Sequence, residues 1–106
     1  MHGRFRMVVL LDMREETRHE RAVKRRFCEW LFQEGFAPLQ RGVLTRVVED
    51  PAKAGLIERR MRENAPDSGI VRVFTMTERQ FQQGALLAGE DGSQESEVGA
   101  QADIFL

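Results

Sequence analysis

The chain has 106 residues, with 42% hydrophobic and 31% charged, enough for one small domain with its own core. A single cysteine, Cys28, excludes any internal disulfide, and the net charge of −1 hides an uneven distribution of charge. No apolar run approaches the roughly 20 residues that a bilayer-spanning helix needs, so a reducing cytoplasm is the expected compartment.

The first element is "RMVVLLDM", Arg6 to Met13. Segment 4–13 predicts a strand with Phe5, Met7, Val9 and Leu11 on one face and Arg6, Val8, Leu10 and Asp12 on the other. Both faces are apolar in the middle, so both are expected to be buried.

Segment 17–34 predicts a helix. Thr17 and Glu20 have capping-box spacing, and Gly35 stands where a left-handed C-terminal cap is wanted. Val23, Phe27, Trp30 and Leu31 form the inward stripe; Arg18, Arg21, Arg25 and Arg26 lie on the opposite face. Phe36 is placed to fold back on Leu31.

Segment 38–48 predicts a strand, either long and bent at Gly42 or folded as a hairpin. Asp50 then caps a second helix with Pro51 in its first turn, running to about Asn64 with Ala54, Ile57 and Met61 inward. "APDSG" is a turn, Ile70 to Thr77 a third strand, "ERQFQQG" a turn or helical loop, and "ALLAG" a short fourth strand. Residues 1–89 are read as one domain and residues 90–106 as an acidic linker ending in an edge strand, "DIFL".

This order best fits an α+β ferredoxin-like sandwich, two helices covering one face of an antiparallel sheet. The other face then needs a cover. A second copy of the chain, packed sheet to sheet, is the natural one, and the expectation is a homodimer.

Charge is uneven along the chain. Residues 1–66 hold 14 Lys+Arg and 10 Asp+Glu, a balance of +4; residues 67–106 hold 2 and 7, a balance of −5. Arg outnumbers Lys by 14 to 2, and a guanidinium fork suits phosphate oxygens. Composition alone favours a solvated arginine-rich surface.

Zinc-type ligand spacing, a P-loop and a dinucleotide-binding glycine pattern are all absent. The strand aromatics of an RNA-recognition domain are missing as well, and no pocket signature points to a regulatory ligand-binding domain. Asp12 remains. In a sheet-to-sheet dimer two copies of Asp12 about 5 Å apart would repel by roughly 3 kcal/mol at an effective dielectric near 20. A proton or a hard cation such as Mg2+ would relieve that repulsion. A carboxylate that merely ends a strand is the plain alternative.

Together, "MVVLLDM", "T..ER", "RRF..WLFQEGF..LQ.GV..R", "GIVRVFTMTERQF" and "LLAGE" resemble the small CRISPR-associated Cas-two family, in its subtype with an extended C-terminal tail. The resemblance implies a ferredoxin-like homodimer that works with the Cas-one integrase, capturing short double-stranded DNA and inserting it into a CRISPR array in antiviral defence. It implies that Asp12 matches a strand-end residue that binds a divalent metal between protomers. Some members are credited with metal-dependent endonuclease activity on RNA or double-stranded DNA, so the alternative function is a magnesium-dependent endonuclease acting through Asp12. The DNA-bridging role places nucleic-acid contacts at Arg14, Arg18, Arg21, Arg25 and Arg26. Two positions depart from the family pattern: Arg14 stands where Pro is common, and Gly42 to Leu44 replace a stretch that commonly holds Tyr. Both weigh against nuclease activity more than against fold or assembly.

Overall fold

The computed structural model describes residues 3–90. The acidic segment from residue 91 onward, with the "DIFL" ending, lies outside the described residues.

Strand β1 (Phe5–Asp12) leads into helix α1 (Arg18–Gln33). Strands β2 (Ala37–Gln40) and β3 (Val43–Val48) form a hairpin, helix α2 (Pro51–Asn64) follows, and β4 (Ile70–Thr77) runs into the short helix α3 (Glu78–Gln82). The four strands make one antiparallel sheet in the order β2-β3-β1-β4. This is the βαββαβ arrangement of a ferredoxin-like sandwich, as the sequence predicts.

Of the two forms open to segment 38–48, the structure has the hairpin and not the bent strand, and one further expectation is corrected. Gly42 takes φ +76 in the turn and its carbonyl accepts from the Leu11 amide at 2.7 Å, so the turn is pinned to β1. A Cβ at Gly42 would meet the Leu11 carbonyl oxygen at 2.9 Å, which is why glycine is required there. "ALLAG" is not a strand: residues 85–89 have no strand pairing, and Leu86 and Leu87 are 64% and 92% exposed. Four apolar residues that reach no open strand edge gain no ladder hydrogen bonds. The fourth strand comes from the split of segment 38–48.

The helix caps follow the sequence. Thr17 accepts from the Glu20 amide and Glu20 answers with the reciprocal bond. Asp50 accepts from the Lys53 amide at 2.8 Å. Gly35 takes φ +94, and the Phe36 amide reaches back to the Leu31 carbonyl at 3.0 Å, closing α1 as a Schellman-type cap. A second capping box, Thr77 with Gln80, starts α3 directly from β4.

One layer of core lies between the sheet and the two long helices. Met7 and Val9 from β1 and Leu44 and Val48 from β3 meet Phe27 and Leu31 of α1 and Ala54, Ile57 and Met61 of α2. Trp30 stacks on Phe27 with centroids 6.0 Å apart. Lys24, absent from the expected inward stripe, is buried through an ion pair of 2.8 Å with Glu15.

Cys28 is fully buried in this layer, and burial pushes its thiol up to about 11. The folded pKa is raised, so this group's contribution to stability is present below the unfolded thiol range and is lost as pH climbs from about 9 toward 11. We expect a native-state thiol titration to leave Cys28 unreacted at neutral pH. The alkaline decline in stability should flatten in Cys28→Ala, followed by thermal melts from neutral pH upward.

Candidate functional site

Alternation along the sheet leaves one face without helices. By strand register, that face carries the rows Val47–Arg6–Met76, Thr45–Val8–Phe74 and Val43–Leu10–Arg72, ending at Asp12 beside Ile70. Leu10, Phe74 and Ile70 are 37%, 49% and 55% exposed, an unusual load of apolar surface on a chain this small.

The Arg6 end of this face is occupied by α3. Glu78 accepts two bonds from the Arg6 guanidinium, at 2.8 and 2.6 Å, and the Phe81 ring lies 4.2 Å from the guanidinium carbon. Bidentate geometry with ring contact neutralises a charge that would otherwise sit alone on an apolar face. The Arg6 hydrogen bonds hold the Glu78 carboxyl below the usual carboxylate range. What stays open is the other end of the face, from Val8 to Asp12.

Asp12 closes β1 and is exposed. Its backbone is held tightly. Gly69, at φ +84, passes so close that a Cβ there would lie 3.0 Å from the Asp12 carbonyl oxygen. The pinned Gly42 turn sits on the other side. A shallow depression of about 350 Å³ gathers Asp12 with Arg41, Gly42, Ile70 and Arg72. Neither arginine was among the residues anticipated from the sequence. Arg72 reaches the site by strand pairing with Leu10, and Arg41 through the hairpin turn. The one sequence signal was an arginine inside the apolar run "IVRVF".

The anticipated arginines fall into two groups. Arg14 and Arg21 brace the loop after Asp12. Arg14 pairs with Glu16 at 3.1 Å and Glu20 at 3.8 Å, and Arg21 donates to the carbonyls of Glu15 and Glu16 at 3.0 Å. The Thr17 amide, more than any charge, keeps the Glu20 carboxyl below its ordinary range. Arg18, Arg25 and Arg26 are exposed on α1, and among the described residues none of them forms an ion pair. Arg26 borders a second depression of about 400 Å³ with His19, Trp30 and Asp67. The site therefore brings Asp12 together with Arg41 and Arg72, and sets the α1 arginines on a separate outward face.

Magnesium demands several oxygen ligands. Among the described residues no group of three or more His, Cys, Asp or Glu side chains could hold a metal. One carboxylate flanked by two guanidinium groups does not fit a resident Mg2+ within a single protomer. No described helix is long and apolar enough to cross a membrane.

These features define a class: a ferredoxin-like sandwich with one apolar sheet face open and an acidic strand end at its rim. No family model matches the chain. Individual curated relatives do. It is 33% identical over 85 residues to the CRISPR-associated endoribonuclease Cas2 of Streptococcus mutans, covering 80% of this chain and 78% of that protein. It is 32% identical to the protein of the same name from Ligilactobacillus salivarius, covering 80% and 84%. With that of Acidovorax ebreus it shares 33% over 95 residues, covering 90% and 93%. The chain belongs to the CRISPR-associated Cas2 family.

Proposed function

We propose that the protein is a homodimer that bridges double-stranded DNA within the spacer-integration complex of a CRISPR system, together with the Cas-one integrase. The observation that carries this reading is the open sheet face. Burying one Leu or Phe side chain is worth about 1.5–3 kcal/mol, and a two-fold contact counts each residue twice. Because α3 covers the Arg6 end, a second copy would seat on the Val8-to-Asp12 end, where two copies of Asp12 approach one another. The exposed arginines of α1 then form paired cationic ridges on the outer side of the dimer, suited to phosphate contact without base reading. Arg18, Arg25 and Arg26 are free for that work; Arg14 and Arg21 position the loop between them and Asp12.

Co-purification with the neighbouring integrase, followed by a spacer-integration assay, tests this reading. Integration that needs the dimer but survives Asp12→Ala supports a bridging role. Integration unaffected by removing the protein contradicts it.

A second reading is favoured by the printed names of the relatives, endoribonucleases. Here the paired Asp12 carboxylates would hold Mg2+ and support phosphodiester hydrolysis. The lone carboxylate per protomer makes this the weaker of the two. Cleavage that requires magnesium and is lost in Asp12→Asn would establish it, and equal cleavage by that variant would eliminate it.

A further inference from the structure

The helix side of the molecule carries a concavity that neither functional reading uses. It lies between α1 and the loop after α2 and holds about 400 Å³. Buried or half-buried Val23, Phe27 and Trp30 line it together with exposed His19 and Arg26, and Asp67 is the one carboxylate of its lining. A second copy seated on the open sheet face leaves this side in water. Arg18 and Arg25, exposed on the same helix, add two further cations, and among the described residues neither they nor Arg26 form an ion pair.

An apolar slot bordered by guanidinium groups suits an acidic segment that carries apolar side chains. The chain holds such a segment. Residues 1–90 contain 16 Lys+Arg and 13 Asp+Glu, a balance of +3; residues 91–106 contain no Lys or Arg and 4 Asp+Glu, a balance of −4. The last four residues are Asp103, Ile104, Phe105 and Leu106, one carboxylate followed by three apolar side chains.

The starting point of that segment is well placed. Glu90 lines a depression with Gln40, the last residue of β2. Pairing of Gln40 with Val43, Val43 with Leu10 and Asp12 with Ile70 puts this end of β2 at the same end of the sheet as Asp67. The order β2-β3-β1-β4 separates the two edges by three strand spacings, roughly 14 Å. The stretch from Asp91 to Asp103 can span about 40 Å, ample to pass from one edge to the helix side of the other.

We infer that residues 91–106 dock on the α1 face of their own chain. Ile104, Phe105 and Leu106 fill the slot at Val23, Phe27 and Trp30, and the carboxylates lie over Arg18, Arg25 and Arg26. The docked segment occupies the guanidinium groups that the DNA-bridging reading gives to phosphates, so it is a built-in competitor of DNA. That consequence rests on the bridging reading; the seat of the segment does not. A tethered competitor acts at millimolar effective concentration, and a duplex binds only the fraction of molecules whose arginines are uncovered.

Trp30 is the single Trp and the chain has no Tyr, so intrinsic fluorescence reports the slot directly. The test compares the full-length wild type with a full-length triple variant, Ile104→Ser, Phe105→Ser and Leu106→Ser, which keeps every charge. The variant should move Trp30 emission to longer wavelength and bind a labelled DNA duplex about tenfold tighter in low salt, with wild-type circular dichroism and light-scattering mass. Adding duplex to the wild type should produce the same emission shift, and adding it to the variant should produce none. Wild-type emission in the variant would overturn the docked segment, whatever the affinity. Wild-type affinity would overturn the competition, since an undocked acidic segment repels DNA equally with or without its apolar end. Dissociation of the variant into monomers would place the segment in the dimer contact and overturn it as well. An emission shift with no duplex bound by either protein would remove the bridging reading and leave the docked segment standing.

Discussion

Phe74→Asp is expected to convert the proposed dimer into a folded monomer. Phe74 is half exposed and sits opposite Val8 in the centre of the open sheet face, away from the core that α1 and α2 build. The substitution removes an apolar side chain from a two-fold contact twice and places two carboxylates where water would be excluded. From side-chain burial alone the dimer should weaken by about a thousandfold or more. The protomer has little reason to unfold, since Phe74 contributes to no described core contact. Sedimentation should report a monomer while the far-ultraviolet circular dichroism stays that of the wild type. A persistent dimer would move the interface elsewhere.

Leu31→Ala is expected to produce the largest loss of stability. Leu31 is fully buried near the end of α1, inside the same layer as Phe36, and its carbonyl accepts the cap bond from the Phe36 amide. Truncation removes apolar burial and leaves a cavity that close-packed neighbours fill only in part. The cost should be about 2–5 kcal/mol, a large fraction of the stability of a domain of this size. Leu87→Ala is the matched control: at 92% exposure it should shift the urea midpoint negligibly. Comparable losses in both would mean that the segment after α3 packs as core.

Sequence legibility followed the range of the interactions. Both long helices were readable because their signals are local: Thr17 with Glu20, Asp50 before Pro51, Gly35 before Phe36. The hairpin was half readable. Gly42 stood out, but a two-residue turn was obscured by the short β2 and by the length of segment 38–48. "ALLAG" was misread because apolar character alone does not say whether a strand edge is within reach. Asp12 was legible as the end of an apolar strand. Its neighbours were not. Arg72 meets it through sheet pairing and Arg41 through the hairpin turn, across a sequence distance that no spacing rule captures, whereas the nearer Arg14 and Arg21 are consumed by the loop itself. Lys24 escaped for a similar reason: it pairs with Glu15, which lies in the loop before α1.

The open face and the arginine ridges make one claim, that this family member is a dimer which holds duplex DNA by its phosphates. The salt dependence of duplex affinity measures that claim most directly. If Arg18, Arg25 and Arg26 of each protomer touch phosphates, the dimer should lose affinity with a log–log slope of about −5. A slope close to zero would contradict the account.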